Sequence, residues 1–271
     1  MPELSIIIVN YKTKKLTLEC LESIVSSQPR TSYEIILIDN ASEDGLFEDV
    51  KKKSNVKPYV KTISNTENLG FAKAANQGMR VSHGRYMLLL NSDTRVTRGS
   101  IDVLVDFAKE TKDAGVVGAK LINLDGTTQP SCYYFPTIKA AIDQFWLGKN
   151  RRFDKFYPKA LEASVVDSVV GAAFLITPAA REKAGFFDHR YFMYFEDMDY
   201  CRRVTKFGLK VYYLPSAKVI HHHGASGKAL AGQKRQWQRA IPSSKIYHGV
   251  VKHYILNFIL WSGQKWQKLL G

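Results

Sequence analysis

The sequence predicts an α/β fold on an open sheet with helices on both faces, and three observations carry that expectation. Short apolar runs alternate through the first half of the chain with stretches whose apolar residues fall at helical spacing. Tyr86 to Leu90 is apolar throughout, as in a strand covered on both faces, and it leads directly into Asn91-Ser92-Asp93. Two earlier apolar runs also end in polar groups, at Asn10 and Asp39. Ligands of open α/β sheets bind at the carboxyl ends of the strands, so these endings place a candidate site along one sheet edge.

Taken in order, Leu4 to Val9 reads as the first strand, and Leu16, Cys20, Leu21 and Ile24 mark one face of the helix after it. Glu34 to Ile38 is the second strand, ending at Asp39-Asn40-Ala41-Ser42. A short helix over Leu46 to Lys52 leads to a third strand, Tyr59 to Ile63. The loop from Asn65 to Gly70 opens a helix from Phe71 to about Val81, and Tyr86 to Leu90 follows. This βαβ rhythm predicts parallel strands. Beyond Leu121 the pattern is less regular: aromatic loops over Cys132 to Pro136 and Phe153 to Pro158, a strand over Val169 to Ile176, a helix opening near Glu196 and a strand over Leu209 to Leu214. With no internal repeat or low-complexity linker, the reading is one domain over 1–226 and a C-terminal extension over 227–271.

The 271 residues suffice for a substantial core, and 45% hydrophobic composition is that of a globular protein. Cys20, Cys132 and Cys201 are scattered and odd in number, which argues against a disulfide framework or a thiolate zinc site and fits a reducing compartment. The first strand begins without a preceding basic region, unlike a signal peptide, and no apolar stretch reaches the roughly 20 residues of a spanning helix. Of the 39 Lys and Arg, 13 lie after Asp199, whereas none of the 25 acidic residues does, so the net charge of +14 belongs almost wholly to the C-terminal quarter. A near-neutral body with a basic end points to a local anionic partner and away from nucleic acid. Within that end, Val250 to Trp261 followed by Lys265, Trp266 and Lys268 reads either as an in-plane membrane helix or as a helix packed on the domain with solvated lysines.

The polar strand ends suit a nucleotide. Val9 and Tyr11 offer backbone and an aromatic face for a base, and Asp39 offers a carboxylate to a pyrimidine imide or to ribose hydroxyls. Neither G-x-G-x-x-G after the first strand nor G-x-x-x-x-G-K-[ST] is present, which disfavours a dinucleotide redox enzyme and a P-loop ATPase. Asn91 and Asp93 suit a hard divalent cation clamping a diphosphate, or else form an ordinary turn capping the helix near Ile101. His221-His222-His223 suits a borderline metal such as Mn²⁺ better than Mg²⁺, or lines the cleft without ligating. Glu196, Asp197 and Asp199 gather at a helix N-terminus, where acids are stabilised; Asp199 is expected to pair with Arg202 and Arg203.

Together, Ser5–Tyr11, Asp39–Ser42, Asn68–Ala72 with Asn76, Leu90–Asp93, Gly171–Ile176, Gly185–Asp188, Tyr194–Arg202 and Pro215 through His221 to Ser226 resemble the inverting family 2 glycosyltransferases of the GT-A fold. The likeness is to the rhamnosyltransferase-like branch that builds bacterial surface polysaccharides. It implies a GT-A-like mixed sheet and metal-dependent transfer of rhamnose or another hexose from a nucleotide diphosphate sugar to a saccharide, lipid-linked and reached at the inner face of the cell membrane. Asp39 would bind base or ribose, with Val9, Tyr11, Asn68, Lys73 and Asn76 completing the donor site. Asn91 and Ser92 would also bind the nucleotide sugar, and Asp93, supported by Asn91, would with His221 hold Mn²⁺ or Mg²⁺. Asp197 would be the general base and Glu196 would bind the acceptor. The family's metal motif begins here with Asn91, and His189 follows Asp188 where relatives often carry an acid. A sugar nucleotidyltransferase and a polyanion- or RNA-binding module are the alternatives; the first lacks a Gly-rich basic loop and the second a basic footprint on the body.

Overall fold

The structure, a computed structural model, describes residues 1–149, 152–222 and 236–270. In chain order the first half comprises β1 (Leu4–Asn10), α1 (Lys14–Ser26), β2 (Tyr33–Asp39), α2 (Leu46–Lys52), β3 (Val60–Ser64), α3 (Phe71–Val81), β4 (Tyr86–Leu90), β5 (Thr94–Val96) and α4 (Ser100–Glu110). The second half comprises β6 (Ala114–Ile122), β7 (Cys132–Tyr133), α5 (Ile138–Ala141), β8 (Ser164–Val166), β9 (Ser168–Val169), β10 (Ala173–Ile176), α6 (Pro178–Ala184), α7 (Glu196–Lys206), β11 (Lys210–His221), α8 (Gln236–His248) and α9 (Val250–Leu270).

Among the described residues the main sheet runs β3-β2-β1-β4-β10-β6-β11-β5, with β8 also on β11. The first four strands are parallel, as their apolar runs require: Ile6, Ile8, Ile35, Leu37 and Leu88 pack on one side, Ile7, Ile36, Ile38 and Leu89 on the other. Beyond β4 the parallel pairing expected from the βαβ rhythm gives way to the mixed sheet that the family resemblance implies. β10 is antiparallel to both β4 and β6, and β5 and β8 are antiparallel to β11. The sheet is mixed.

Three differences from the sequence reading shape the site. The single strand expected over Val169 to Ile176 is two, because the chain leaves a two-stranded sheet with β7 at Val169 and re-enters the main sheet at Ala173. The strand expected to end at Leu214 continues to His221, accommodating Pro215 where its register against β6 shifts between Leu214 and Lys218. Asn91–Asp93 caps no helix: a turn closed by the Thr94 amide on the Asn91 carbonyl sends the chain into β5, and α4 starts later, after Gly99. A helical turn continuing α5 through Ile142–Trp146 lies between the two expected aromatic loops.

The expected boundary at 226/227 lies outside the described residues. α8 packs on the body through buried Tyr247, whose carbonyl accepts from Arg202 at 3.2 Å. α9 buries Leu256 and Ile259 against Ile138, Ala141, Ile142 and Phe145. Gly263 permits this approach, since a Cβ there would stand 2.5 Å from the Phe145 carbonyl oxygen. The opposite side of α9 exposes Val251, Tyr254, Phe258 and Trp261.

Candidate active site

A cleft of about 530 Å³ opens at the carboxyl ends of β1 and β4, lined in part by Val9, Tyr11, Asn68, Asn91, Ser92, Asp93, Glu196, Asp197 and His221. Of the twelve residues expected from sequence, these nine come together. The others do not. Asn76 is buried in α3 with its amide consumed by Phe187: Nδ2 donates to the carbonyl at 2.8 Å and Oδ1 accepts from the amide at 3.0 Å. Lys73 is exposed and lines no part of the cleft. Asp39 is likewise absent from the lining, its carboxylate accepting from Asn10 Nδ2 at 2.8 Å and the Ser42 amide at 3.2 Å.

Asn40, next to Asp39, takes the place on the wall. Its Nδ2 donates to Asn68 Oδ1 at 2.8 Å, while its Oδ1 accepts from Asn65 Nδ2 and the Leu69 amide. The Asn65–Gly70 loop is thereby fixed across the end of β2. Asn10 knits β1 to α1 in the same way, accepting from Thr17 and Thr13, and Thr13 bonds Ser92 at 2.9 Å. Such satisfied networks hold polar side chains in one geometry beneath the cleft.

The end of β11 pairs with β5, setting His221 opposite Thr94 and His222 N–H on the Asp93 carbonyl. His221 Nε2 then lies 3.3 Å from Asp93 Oδ1, and His221 Nδ1 lies 2.7 Å from Gln129 Oε1. Gln129 Oε1 accepts from the Nδ1–H tautomer, which leaves Nε2 and the Asp93 oxygen side by side as a nitrogen and an oxygen donor. The donor set fits a divalent cation. Among the described residues no group of three or more His, Cys, Asp or Glu forms a metal cluster, so a cation held by Asp93 and His221 would need further ligands from outside this set. His222 Nε2 is buried and has no hydrogen-bond partner among the described residues, and His223 is outside them.

Glu196 and Asp197 open α7 just after Tyr194 and Phe195, both with positive φ (70° and 69°). Strained backbone of this kind persists where surrounding contacts over-determine it. The break between β9 and β10 explains why Asp197 is held: Gly171 N–H donates to Oδ2 at 3.0 Å, and Met198 N–H donates to Oδ1 at 2.7 Å. Burial raises the Asp197 pKa, and these amides oppose the rise. Burial, then the Asp197 charge, pushes Glu196 up to about 8, and its Oε2 has no hydrogen-bond partner among the described residues. Burial thus disfavours charge on both carboxyls, and the two amides favour it on Asp197 over Glu196. Asp199 takes the structural part expected of it, bonding Arg202 at 3.0 Å and Arg203 at 2.9 Å.

Sequence reasoning missed Gln129, Tyr133 and Lys155 of the lining. Burial lowers the Lys155 pKa and the Asp197 charge raises it. All three come from the aperiodic stretch between β6 and β8, where nothing in the spacing marks them.

A family model for Glycosyl transferase family 2 matches residues 5–170, more than half of the chain. The chain belongs to glycosyl transferase family 2. This glycosyltransferase assignment displaces the nucleotidyltransferase and polyanion-binding alternatives. The glycosyltransferase is 31% identical over 210 residues to an N-acetylglucosaminyl-diphospho-decaprenol L-rhamnosyltransferase of Mycobacterium tuberculosis, covering 71% of this chain and 67% of that one. Its fold matches GalNAc-T7 in complex with UDP, GalNAc and Mn²⁺ at a TM-score of 0.64 and 17% identity, over 82% of this chain and 43% of that chain. A mannosyltransferase of Pyrobaculum calidifontis, solved with GDP-Man and Mn²⁺, matches at a TM-score of 0.62 and 16% identity, over 97% of this chain and 73% of that chain. The glycosyltransferase thus has the GT-A fold.

Proposed function

We propose that the chain transfers a hexose or deoxyhexose from a nucleotide diphosphate sugar to a hydroxyl of a lipid-linked saccharide, with inversion at the anomeric carbon, during cell-surface polysaccharide synthesis. The observation that carries this reading is the meeting, in one cleft, of the Asp93–His221 pair with the buried Glu196–Asp197 pair. Val9, Tyr11, Asn40 and Asn68 bound the donor side. Asp93 and His221 would hold a divalent cation, Mn²⁺ or Mg²⁺, which when bound offsets the charge of the leaving diphosphate. Imidazole favours Mn²⁺ of the two.

Asp197, fixed by two amides, takes the proton of the acceptor hydroxyl as that oxygen attacks the anomeric carbon. Protonated Glu196 is a hydrogen-bond donor to an acceptor oxygen. A base carboxylate facing a sugar whose diphosphate leaves from the other side gives one displacement without a covalent intermediate. The relative acting on a diphospho-decaprenol supports a lipid-linked acceptor.

The reaction is set at the inner face of a membrane. α9 exposes Val251, Tyr254, Phe258 and Trp261 at helical spacing, and Lys265 lies 4.2 Å from the Trp261 ring centroid. An apolar face with interfacial aromatics and lysines, in a quarter of the chain without a carboxylate side chain, suits an anionic lipid surface. Among the described residues no helix is long and apolar enough to cross a membrane. The test is a panel of nucleotide sugars with Mn²⁺ and a lipid-diphosphate saccharide, with NMR of the product. Inverted anomeric configuration supports the reading; retained configuration, or no transfer from any donor, overturns it.

A further inference from the structure

A second cavity, of about 220 Å³, lies beside the reaction cleft and shares its wall residues Tyr133, Phe195 and Met198. Its far side is built by Leu256, Asn257 and Leu260 of α9, facing Pro136 and Phe153. Among the described residues Arg152 is the one ionised side chain of the lining, and no carboxylate joins it. His248 also lines it, with an Nδ1 that has no hydrogen-bond partner among the described residues. The cavity is thus apolar along one length, cationic at one residue, and adjacent to the carboxylates at the start of α7.

The same helix connects it to the protein's outer apolar face. Leu256 and Leu260 line the cavity, whereas Val251, Tyr254, Phe258 and Trp261 of α9 are exposed. A molecule with an apolar chain and an anionic head, leaving a lipid surface held against that outer face, meets this groove before it meets Asp197. We propose that the groove between α9 and Tyr133, Tyr134, Pro136, Arg152 and Phe153 is the acceptor's lipid subsite, taking the apolar chain next to the diphosphate while Arg152 receives the phosphate charge. This inference rests on the transferase reading and adds to it the acceptor's chemistry: an amphiphilic diphosphate, selected by its chain as well as by its sugar.

The groove accounts for the position of α9. A helix serving only as a membrane foot has no need to wall a cavity that shares Tyr133, Phe195 and Met198 with the reaction cleft. Packing Gly263 against Phe145 fixes α9 at the distance that leaves the groove open.

The test uses the full-length protein in EDTA, which denies a diphosphate the Asp93–His221 site, titrated calorimetrically with n-alkyl diphosphates of increasing chain length below micelle formation. Affinity should rise ~4-fold per buried methylene until the groove is filled, inorganic diphosphate binding far more weakly. Asn257 is exposed, so Asn257→Trp narrows the groove without disturbing the core; it should weaken the longest chain by ~10-fold or more at an unchanged melting temperature. Phe258→Ser with Trp261→Ser should leave this binding in place. Affinity independent of chain length, an Asn257→Trp protein binding like wild type, or loss of binding only in the Phe258/Trp261 pair would each overturn the subsite. Sugar transfer by wild type to a chain-free saccharide reports on the transferase reading separately, so transfer with flat chain-length dependence removes the groove alone.

Discussion

His221 Nε2 lies 3.3 Å from Asp93 Oδ1, and both side chains are buried. The turn after β4 and the extended end of β11 create that contact, since neither segment approaches the other in sequence. A carboxylate oxygen and an imidazole nitrogen brought this close form a two-donor set that suits a divalent cation.

Asp93→Ala should therefore abolish transfer while leaving the fold intact, because the turn at 91–94 is held by backbone bonds. EDTA should reproduce the loss in wild type, and added Mn²⁺ should restore wild type alone. Full activity in EDTA would remove the metal from the account.

Glu196 gives a pH-dependent stability with a definite sign. Unfolded, its carboxyl ionises near 4.5; folded, it keeps its proton to about 8. The native state binds the extra proton between those values, so wild-type stability should fall as pH rises from about 4.5 to about 8 and level off beyond. Glu196→Gln lacks this penalty, so its melting temperature relative to wild type should rise across that window, by the equivalent of a few kcal/mol at most. Parallel melting curves at every pH would contradict the burial of this carboxyl.

Asn76 is a brace of the fold in this structure. Asn76→Ala would strand the amide and carbonyl of Phe187, and should cost roughly 1–3 kcal/mol in denaturant unfolding. Donor affinity of the folded variant, followed by calorimetry, should stay at the wild-type value.

On the outer face of α9, Phe258→Ser with Trp261→Ser should weaken binding to anionic vesicles, and salt should weaken the wild-type interaction by screening. Both residues are more than half exposed, so cosedimentation should change with little change in melting temperature. Vesicle binding equal to wild type would leave α9 with its packing role only.

Much of the first half was legible because its signals are local. α2, α3 and β4 fall where the apolar spacing and the preceding glycines set them; Gly45 and Gly70, both at positive φ, stand immediately before α2 and α3. The second half depends on events between distant segments. The chain switches sheets over Val170–Ala172, and β11 runs through Pro215 to reach β5, neither of which has a periodicity. The carboxylates of the site were legible from their clustering and their strand-end positions. Asn76 and Lys73 were misplaced because a polar residue in a recognisable motif says nothing of which way its helix turns it.

The most direct measurement is the turnover of Asp197→Asn. The amide keeps the shape of the side chain and removes the base held by Gly171 and Met198. Turnover should fall by about 10²–10⁴-fold while the donor dissociation constant, measured by calorimetry with Mn²⁺, stays within a few-fold of wild type. An Asn variant that transfers sugar as fast as wild type would contradict the assignment of Asp197 as the base.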